Sequence, residues 1–124
     1  MFSCASSRSF VVFSYNHSHG SLLLRSRKDN VHSTRVDILI QGVRAMEIRS
    51  WFNGIQIEEV DSSYLDAKTS KPLEMIEPGN CVYAVRGAGW NGYIVGGIAR
   101  TSEDTGEYMD PSRLIGSKPS VILT

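Results

Sequence analysis

The sequence has little that would form disulfides, hold a metal ion or cross a membrane. Its two cysteines, Cys4 and Cys81, lie far apart and match neither a zinc-ligand spacing nor a disulfide framework, so we expect free thiols in a reducing cytoplasm. The longest apolar runs, such as residues 10–13, fall far short of the roughly 20 residues that a membrane span needs. We therefore expect a cytoplasmic protein without a membrane partner.

An excess of charge of either sign is also missing. Thirteen basic and thirteen acidic residues cancel, which removes the field that usually attracts nucleic acid, so we do not expect a nucleic-acid partner. The 41% hydrophobic and 21% charged residues exclude a disordered or collagen-like chain. A chain of 124 residues fits one ordinary domain.

The first half of the sequence predicts strands that alternate with turns. Residues 1–9 are Ser-rich without periodicity, and we expect a flexible leader there, followed by a single β-rich domain over 10–124. Residues 10–15 are aromatic and β-branched, which favours a strand, and the turn residues 16–20 precede a second strand at 21–27. These two runs predict a hairpin.

Period-two alternation continues in residues 35–60. Val36, Ile38 and Ile40 predict the inward face of a strand. A further strand is predicted over 43–52, although its Ala, Met, Glu and Arg residues also suit a helix. Asn53-Gly54 then predicts a two-residue type I′ turn.

Counting outward from that turn fixes the expected register of the hairpin. Phe52 would lie opposite Ile55, and Arg49 would form a cross-strand ion pair with Glu58.

The second half predicts two more strands, at 81–86 and 93–100, joined by the glycine-rich residues 87–92. Residues 61–78 read as a connection with at most one helical turn at 62–67. Asp110-Pro111 predicts a helical turn over 112–115, and residues 121–123 predict a final edge strand. The fold class is therefore mainly β: a single antiparallel sheet or a small sandwich or half-barrel of hairpins, with at most one or two short helices.

His17 and His19 are the first candidate metal ligands, because residues two apart on a strand share a face and two imidazoles can bind one zinc ion. A third ligand would have to come from His32, Asp29 or a distant carboxylate. The alternatives are that both are solvated turn residues or that they have a hydrogen-bonding role such as capping the turn. No more specific metal signature is present, and we expect no cofactor.

Arg25, Arg27 and Lys28 form the one basic cluster, at the end of a predicted strand. Arg25 and Arg27 share a face and could contact a phosphate or an acidic partner. The alternative is an ordinary solvent-facing strand whose charges prevent aggregation.

Gly87, Gly89 and Gly92 match the spacing of a dinucleotide-binding loop, but that loop opens a helix, whereas here a strand follows. The pattern instead predicts a hairpin with Trp90 at its tip. An exposed tryptophan beside glycines is a plausible interface anchor, and Trp51 and Tyr93 are the other aromatic candidates. The alternative is that Trp90 folds back onto the sheet as core.

Residues 35–48 and 51–55 carry a pattern of strand, Gly42-Val43 and strand that resembles small bacterial β-proteins, including immunity proteins of polymorphic toxin systems. The resemblance covers about residues 10–60, and Ile40 stands where those families often have an aromatic residue. It implies a non-catalytic protein that binds one partner protein.

These observations lead to three functional hypotheses. The first is a protein-binding module of immunity or adaptor type. The second is a small-molecule-binding protein or hydrolase-type enzyme with a site near His17 and His19 or in the hairpin at 87–97. The third is homo-oligomerisation through an exposed sheet edge. A protein binder needs a flat exposed patch with aromatic residues, whereas a catalyst needs a pocket with converging polar groups.

Overall fold

The computed structural model describes residues 1–68 and 72–116, which are mainly in β-strands, as the sequence predicts. Eight strands follow along the chain: β1 (Ser3–Asn16), β2 (Ser21–Ser26), β3 (Arg35–Gln41), β4 (Ala45–Glu47), β5 (Trp51–Val60), β6 (Cys81–Gly87), β7 (Trp90–Gly96) and β8 (Ile98–Asp104). The helical parts are 3₁₀ turns at Ser62–Leu65 and Pro72–Met75 and a short α-helix, α1 (Arg113–Gly116). The strand predicted at 121–123 lies outside the described residues.

All eight strands belong to one antiparallel sheet with the order β4-β7-β6-β5-β1-β2-β3-β8. The prediction of a single antiparallel sheet is therefore confirmed. The hairpin of β1 and β2 is confirmed too, since Asn16 pairs with Ser21 across the turn. A second hairpin joins β6 to β7, where Gly87 pairs with Trp90.

The sheet curls because its two end strands continue inner strands of the same sheet. β4 follows β3 after a short bend, and β8 follows β7 after Gly97. At this corner the Gly97 amide donates to the Gln41 carbonyl and the Arg44 amide donates to the Val95 carbonyl, both at 2.8 Å. The β3–β8 and β4–β7 ladders therefore meet, while β4 and β8 each keep one edge without a strand neighbour among the described residues.

Alternation along the strands buries one continuous core inside the curl. The predicted inward face of β3 is confirmed, because Ile38 and Ile40 belong to this core and Val36 packs against it. The other buried residues of this core come from β1, β2, β5, β6 and β7 and from the bend between β3 and β4: Phe10, Leu22, Leu24, Val43, Phe52, Ile55, Ile57, Tyr83, Val85 and Ile94. This single apolar cluster is the main source of stability that the fold offers.

Two segments cover parts of the outer face of the sheet. Leu65, from the first 3₁₀ turn, packs with Val82, Tyr93 and Val95 of β6 and β7, so the helical turn predicted within 62–67 forms and has a packing role. The limit of one helical turn in residues 61–78 is wrong, because a second 3₁₀ turn forms at Pro72–Met75. On the other side the chain after β8 crosses β2 and β3 as a segment that we name the C-terminal strap (residues 105–116).

The C-terminal strap is held by two buried arginines of the sheet. Arg25 donates from Nη1 to the carbonyls of Tyr108 at 2.6 Å and Asp110 at 2.9 Å. Arg35 donates to the carbonyls of Glu107 at 2.9 Å and Asp110 at 2.8 Å. Guanidinium groups thus satisfy backbone acceptors that no strand reaches.

The prediction of a flexible leader over residues 1–9 is wrong, because most of these residues belong to β1. β1 lies between β5 and β2, so its backbone finds hydrogen-bond partners on both sides. Phe2 and Cys4 also pack against the core, with the Phe2 ring 6.0 Å from that of Tyr83. Backbone pairing and these two side chains compensate for the low hydrophobicity of the serines.

The prediction of a type I′ turn at Asn53-Gly54 is also wrong, because both residues lie inside β5. Gly54 has a φ of 73°, in the left-handed region that favours glycine. Ser6 pairs with Ile55 and Ser9 with Asn53, so β1 has one extra residue opposite Gly54. The positive φ therefore serves a β-bulge between two long strands.

The single strand predicted over 43–52 does not form. The chain makes only the short β4 there and then starts β5 at Trp51. Arg49 consequently does not face Glu58, whose carboxylate instead pairs with Arg86 of β6. The strand predicted at 93–100 is likewise divided between β7 and β8 at Gly97.

Helix α1 begins one residue later than predicted, at Arg113. The side chain of Asp110 does not cap it. Ser112 Oγ accepts a hydrogen bond from the Leu114 amide at 3.1 Å, whereas Asp110 Oδ2 accepts from the Glu107 amide at 2.9 Å.

Candidate functional site

Trp51 is the largest exposed aromatic side chain on the outer face of the sheet, with 54% of its surface accessible. It starts β5, pairs with Val11 of β1, and precedes the buried Phe52. Because side chains alternate along a strand, the burial of Phe52 directs Trp51 outward. Trp51 is thus held on a rigid strand but not covered.

One groove runs from Trp51 to the C-terminal strap and has a volume of about 410 Å³. Arg27 and Tyr108 line its far side, and the buried Arg25 lies at its floor. The Tyr108 backbone is fixed by Arg25, and its ring packs edge-on against Phe13 at 5.1 Å. The groove is therefore built from strand residues and an anchored loop residue.

A second, smaller groove of about 110 Å³ lies on the other side of Trp51, toward Trp90. Arg49 lines it, with its guanidinium 5.4 Å from the centre of the Trp90 ring. The two grooves share Trp51, so they form one continuous region. We name this region the Trp51 surface and define it by Arg27, Tyr108, Trp51, Arg49 and Trp90.

The charges of this surface are unusual for the molecule. Arg27 and Arg49 are both exposed, and within residues 1–68 and 72–116 neither forms a salt bridge or hydrogen bond. Arg113 is the one other described basic residue of which this is true. Within the described residues, Arg27 and Arg49 instead contact aromatic rings. The guanidinium of Arg27 lies 5.9 Å from the centre of the Tyr108 ring, and that of Arg49 lies over the Trp90 ring. The Trp51 surface therefore presents two arginines that form no ion pair within the described residues, beside one exposed and two half-buried aromatic rings.

Three of the predicted partner-binding residues are less exposed than the sequence suggests. Arg25 is only 1% exposed, so the expectation of a solvent-facing side chain is wrong for it. Tyr93 is 4% exposed and lies in the cluster beneath the first 3₁₀ turn, where Lys68 Nζ is 5.8 Å from its ring. Arg25 is covered by the C-terminal strap, and Tyr93 is covered by the 3₁₀ turn at Ser62–Leu65.

Trp90 is not the exposed tip of its hairpin. It is half-buried, pairs with Gly87 across the turn, and packs against Phe52 with ring centres 5.6 Å apart. Its indole lies so close to Gly87 that a side chain at that position would collide with it. The alternative of Trp90 as part of the core is thus favoured. The Trp90 ring also lines the small groove that it shares with Trp51 and Arg49.

The candidate metal ligands His17 and His19 lie in the exposed turn between β1 and β2. Among the described residues, no group of three or more His, Cys, Asp or Glu side chains is placed to hold a metal ion. His32 instead contacts Asp29, with Nδ1 3.1 Å from Oδ1. The third ligand that the zinc hypothesis requires is therefore not brought to this turn by the described part of the chain.

The two cysteines are free thiols, as expected. Burial is the main cause that raises the pKa of Cys4, and the same cause, together with the Glu59 carboxylate, raises the pKa of Cys81. A raised pKa lowers the thiolate fraction, which is the nucleophilic form. Neither environment is one that activates a catalytic cysteine.

Arg49 and Tyr108 are the members of the Trp51 surface that the sequence does not reveal. Arg49 lies in the link between β4 and β5, and Tyr108 lies in a loop more than 50 residues farther on. Their proximity depends on the β1–β5 ladder and on the arginines that hold the C-terminal strap. No local pattern carries that information.

No protein-family model matches the chain, and no curated protein or solved structure shows significant similarity to it. None of the helices in the described ranges has the length and apolar character needed to traverse a bilayer.

Proposed function

We propose that this chain is a non-catalytic binding module that recognises an acidic patch of another protein through the Trp51 surface. The observation that carries the proposal is the exposed Trp51 between two arginines that form no ion pair or hydrogen bond within the described residues. Tryptophan and arginine are the residue types most enriched among the side chains that dominate binding energy at protein interfaces. An acidic partner would supply the carboxylates that Arg27 and Arg49 lack.

The distribution of charge supports a protein rather than a nucleic acid as partner. Formal net charge is zero, and the acidic residues Asp29 and Glu47 border the grooves that contain the two arginines. A strand of phosphates needs a continuous basic track, whereas two separated cations beside an aromatic ring suit a small number of carboxylates. Immunity proteins and adaptors are the kinds of binding module to which this proposal applies.

The test compares capture of proteins by the immobilised chain and by three variants. Trp51→Ala and the double variant Arg27→Glu, Arg49→Glu remove the two parts of the proposed site. Tyr15→Ala is the matched control, because Tyr15 is another exposed aromatic residue on β1 but lies near the turn to β2, away from the Trp51 surface. A protein captured by the unmodified chain and by Tyr15→Ala, and lost with the other two, would then be purified for calorimetry.

In that calorimetry, Trp51→Ala should weaken binding by about 2 kcal/mol or more, the usual size of an interface hot spot. The double variant Arg27→Glu, Arg49→Glu should also weaken binding. Its effect should be larger at low salt than at high salt, because salt screens exposed ion pairs. Equal binding by all variants would refute the site. Capture that disappears on nuclease treatment, or self-association of the chain that Trp51→Ala removes, would refute the proposed kind of partner.

A further inference from the structure

Strand β8 presents a long backbone edge that the described chain does not pair. Its seven residues, Ile98–Asp104, pair with β3 on one side only, since β8 ends the strand order. The free side offers a row of amide donors and carbonyl acceptors to solvent. Such an edge is the standard acceptor for an extended polypeptide that adds a strand to a sheet.

A groove of about 660 Å³ runs along this edge. Thr101, Ser102 and Glu103 all line it. Because consecutive residues of a strand point to opposite faces, a groove that contacts all three lies along the edge of β8 and not on one face. Its opposite wall is formed by residues 111–114, which include the start of α1.

Two polar groups in this groove form no hydrogen bond or ion pair with residues 1–68 and 72–116, although the charge of Arg113 also acts on the Asp104 carboxylate at longer range. Ser102 Oγ is buried without a hydrogen bond. Arg113 is exposed and forms neither a salt bridge nor a hydrogen bond there. The Glu103 carboxylate, by contrast, already accepts hydrogen bonds from Arg8 at 3.4 Å and Thr34 at 2.5 Å. Of the two charged side chains that line the groove, Arg113 is therefore the one without a direct ion pair or hydrogen bond in the described residues.

We propose that this groove binds an extended peptide segment of a partner protein, which adds a strand to the free edge of β8 and places an acidic side chain against Arg113. The site is separate from the Trp51 surface and goes beyond the function proposed above. A second copy of the chain would compete for the same edge, and the experiment below distinguishes the two occupants. Antiparallel pairing of two β8 strands about Thr101 would set Glu103 and Asp104 beside Ala99 and Ile98, whereas pairing about Ser102 would set Arg100 opposite Asp104.

The experiment uses the full chain and three synthetic nine-residue peptides carrying a fluorescent label. The first alternates valine with glutamate, the second has lysine in place of glutamate, and the third is the first peptide with N-methyl groups on alternate amides. N-methylation removes backbone donors on one edge while it leaves the side chains unchanged. Binding is followed by fluorescence anisotropy and by amide chemical shifts of the labelled protein.

The glutamate peptide should bind and shift amides of Ile98–Asp104 selectively. N-methylation should weaken it by about tenfold or more, the effect of losing one or two net hydrogen bonds. Arg113→Glu should weaken the glutamate peptide and strengthen the lysine peptide. Trp51→Ala should leave all three affinities unchanged, which separates this site from the Trp51 surface.

Equal affinity for the methylated and unmethylated peptides would overturn the proposal, because binding would not then depend on the edge. Insensitivity of both charged peptides to Arg113→Glu would overturn the acidic preference. Sedimentation that shows the chain alone to be a dimer with its β8 amides protected would assign the edge to a second copy instead.

Discussion

Arg25 and Asp37 lie opposite each other on β2 and β3 and form a two-pronged ion pair that solvent does not reach. Arg25 Nε is 2.7 Å from Asp37 Oδ1, and Nη2 is 3.0 Å from Oδ2. The remaining guanidinium nitrogen donates to the C-terminal strap, and the Phe13 ring covers the group at 4.2 Å. One buried cation thus joins two strands, a loop and an aromatic ring.

Asp37→Asn should destabilise the protein by about 3–5 kcal/mol, because it leaves the Arg25 charge buried without an anion. Urea denaturation monitored by circular dichroism would measure the change. The control is Glu103→Gln, which removes an exposed pair with Arg8 and should cost no more than about 1 kcal/mol. Similar losses for the two variants would mean that Arg25 keeps a compensating partner or gains water.

Asp104 should make stability depend on pH in the acid range. Its hydrogen bonds with Arg35, with Nε 2.9 Å from Oδ1, hold the pKa of the Asp104 carboxyl below its ordinary value. A carboxyl with a depressed folded-state pKa contributes stability above its unfolded pKa of about 3.9 and loses it as the pH falls through the folded value.

The free energies of unfolding of the unmodified chain and of Asp104→Asn should therefore differ most near neutral pH and converge below about pH 4. Denaturation in urea at several pH values gives the comparison. The carboxyls of Asp29 and Asp61 also have lowered pKa values, but both are unchanged by the variant and cancel in the difference. A difference that stays constant with pH would contradict the assigned pKa direction.

Alanine substitutions of the two tryptophans should differ in how much they lower the free energy of unfolding. Trp90→Ala should cost about 2 kcal/mol or more, since the ring packs on Phe52 and the core. Trp51→Ala should stay within about 0.5 kcal/mol, as substitutions of exposed side chains generally do. Thermal unfolding of both variants tests this, and a larger loss for Trp51→Ala would show that its ring is covered.

Gly54 should resist substitution because of its backbone and not because of crowding. Gly54→Ala should destabilise by about 1–2 kcal/mol, the cost of a left-handed backbone for a residue with a Cβ. The nearest atom to such a Cβ is the Ser6 carbonyl oxygen at 3.7 Å, an ordinary contact. Gly54→Asn should cost less, since asparagine tolerates this region better. A larger loss from Gly54→Asn than from Gly54→Ala would point to side-chain crowding instead.

The parts of the fold that could be predicted are those set by neighbouring residues. Turn residues between two apolar runs gave the β1–β2 hairpin, and strict alternation gave the inward face of Ile38 and Ile40. Asp61 and its neighbours gave a helical turn, in which Asp61 accepts a hydrogen bond from the Ser63 amide at 2.9 Å. In each case the interactions that form the element lie within a few residues of one another.

The parts that were missed depend on distant partners. Asn53-Gly54 has the composition of a tight turn. The pairing of β5 with the long strand β1 continues on both sides of these two residues, so the chain stays extended there. The serines of β1 gain their order from two flanking strands. Of the residues of the Trp51 surface, Trp51, Trp90 and Arg27 were predicted, whereas Arg49 and Tyr108 reach it through contacts between remote segments. Side-chain alternation cannot report such contacts.

The pairing of β8 with β3 has a consequence for how the chain acquires its structure. Arg35 and Asp104 are 69 positions apart, yet their ladder joins the last strand to the third. Closing so long a loop carries an entropic cost that must be met before the contact yields stability, which slows folding. During synthesis, β3 would leave the ribosome well before its partner exists. We expect folding in milliseconds to seconds, after release of the final strand.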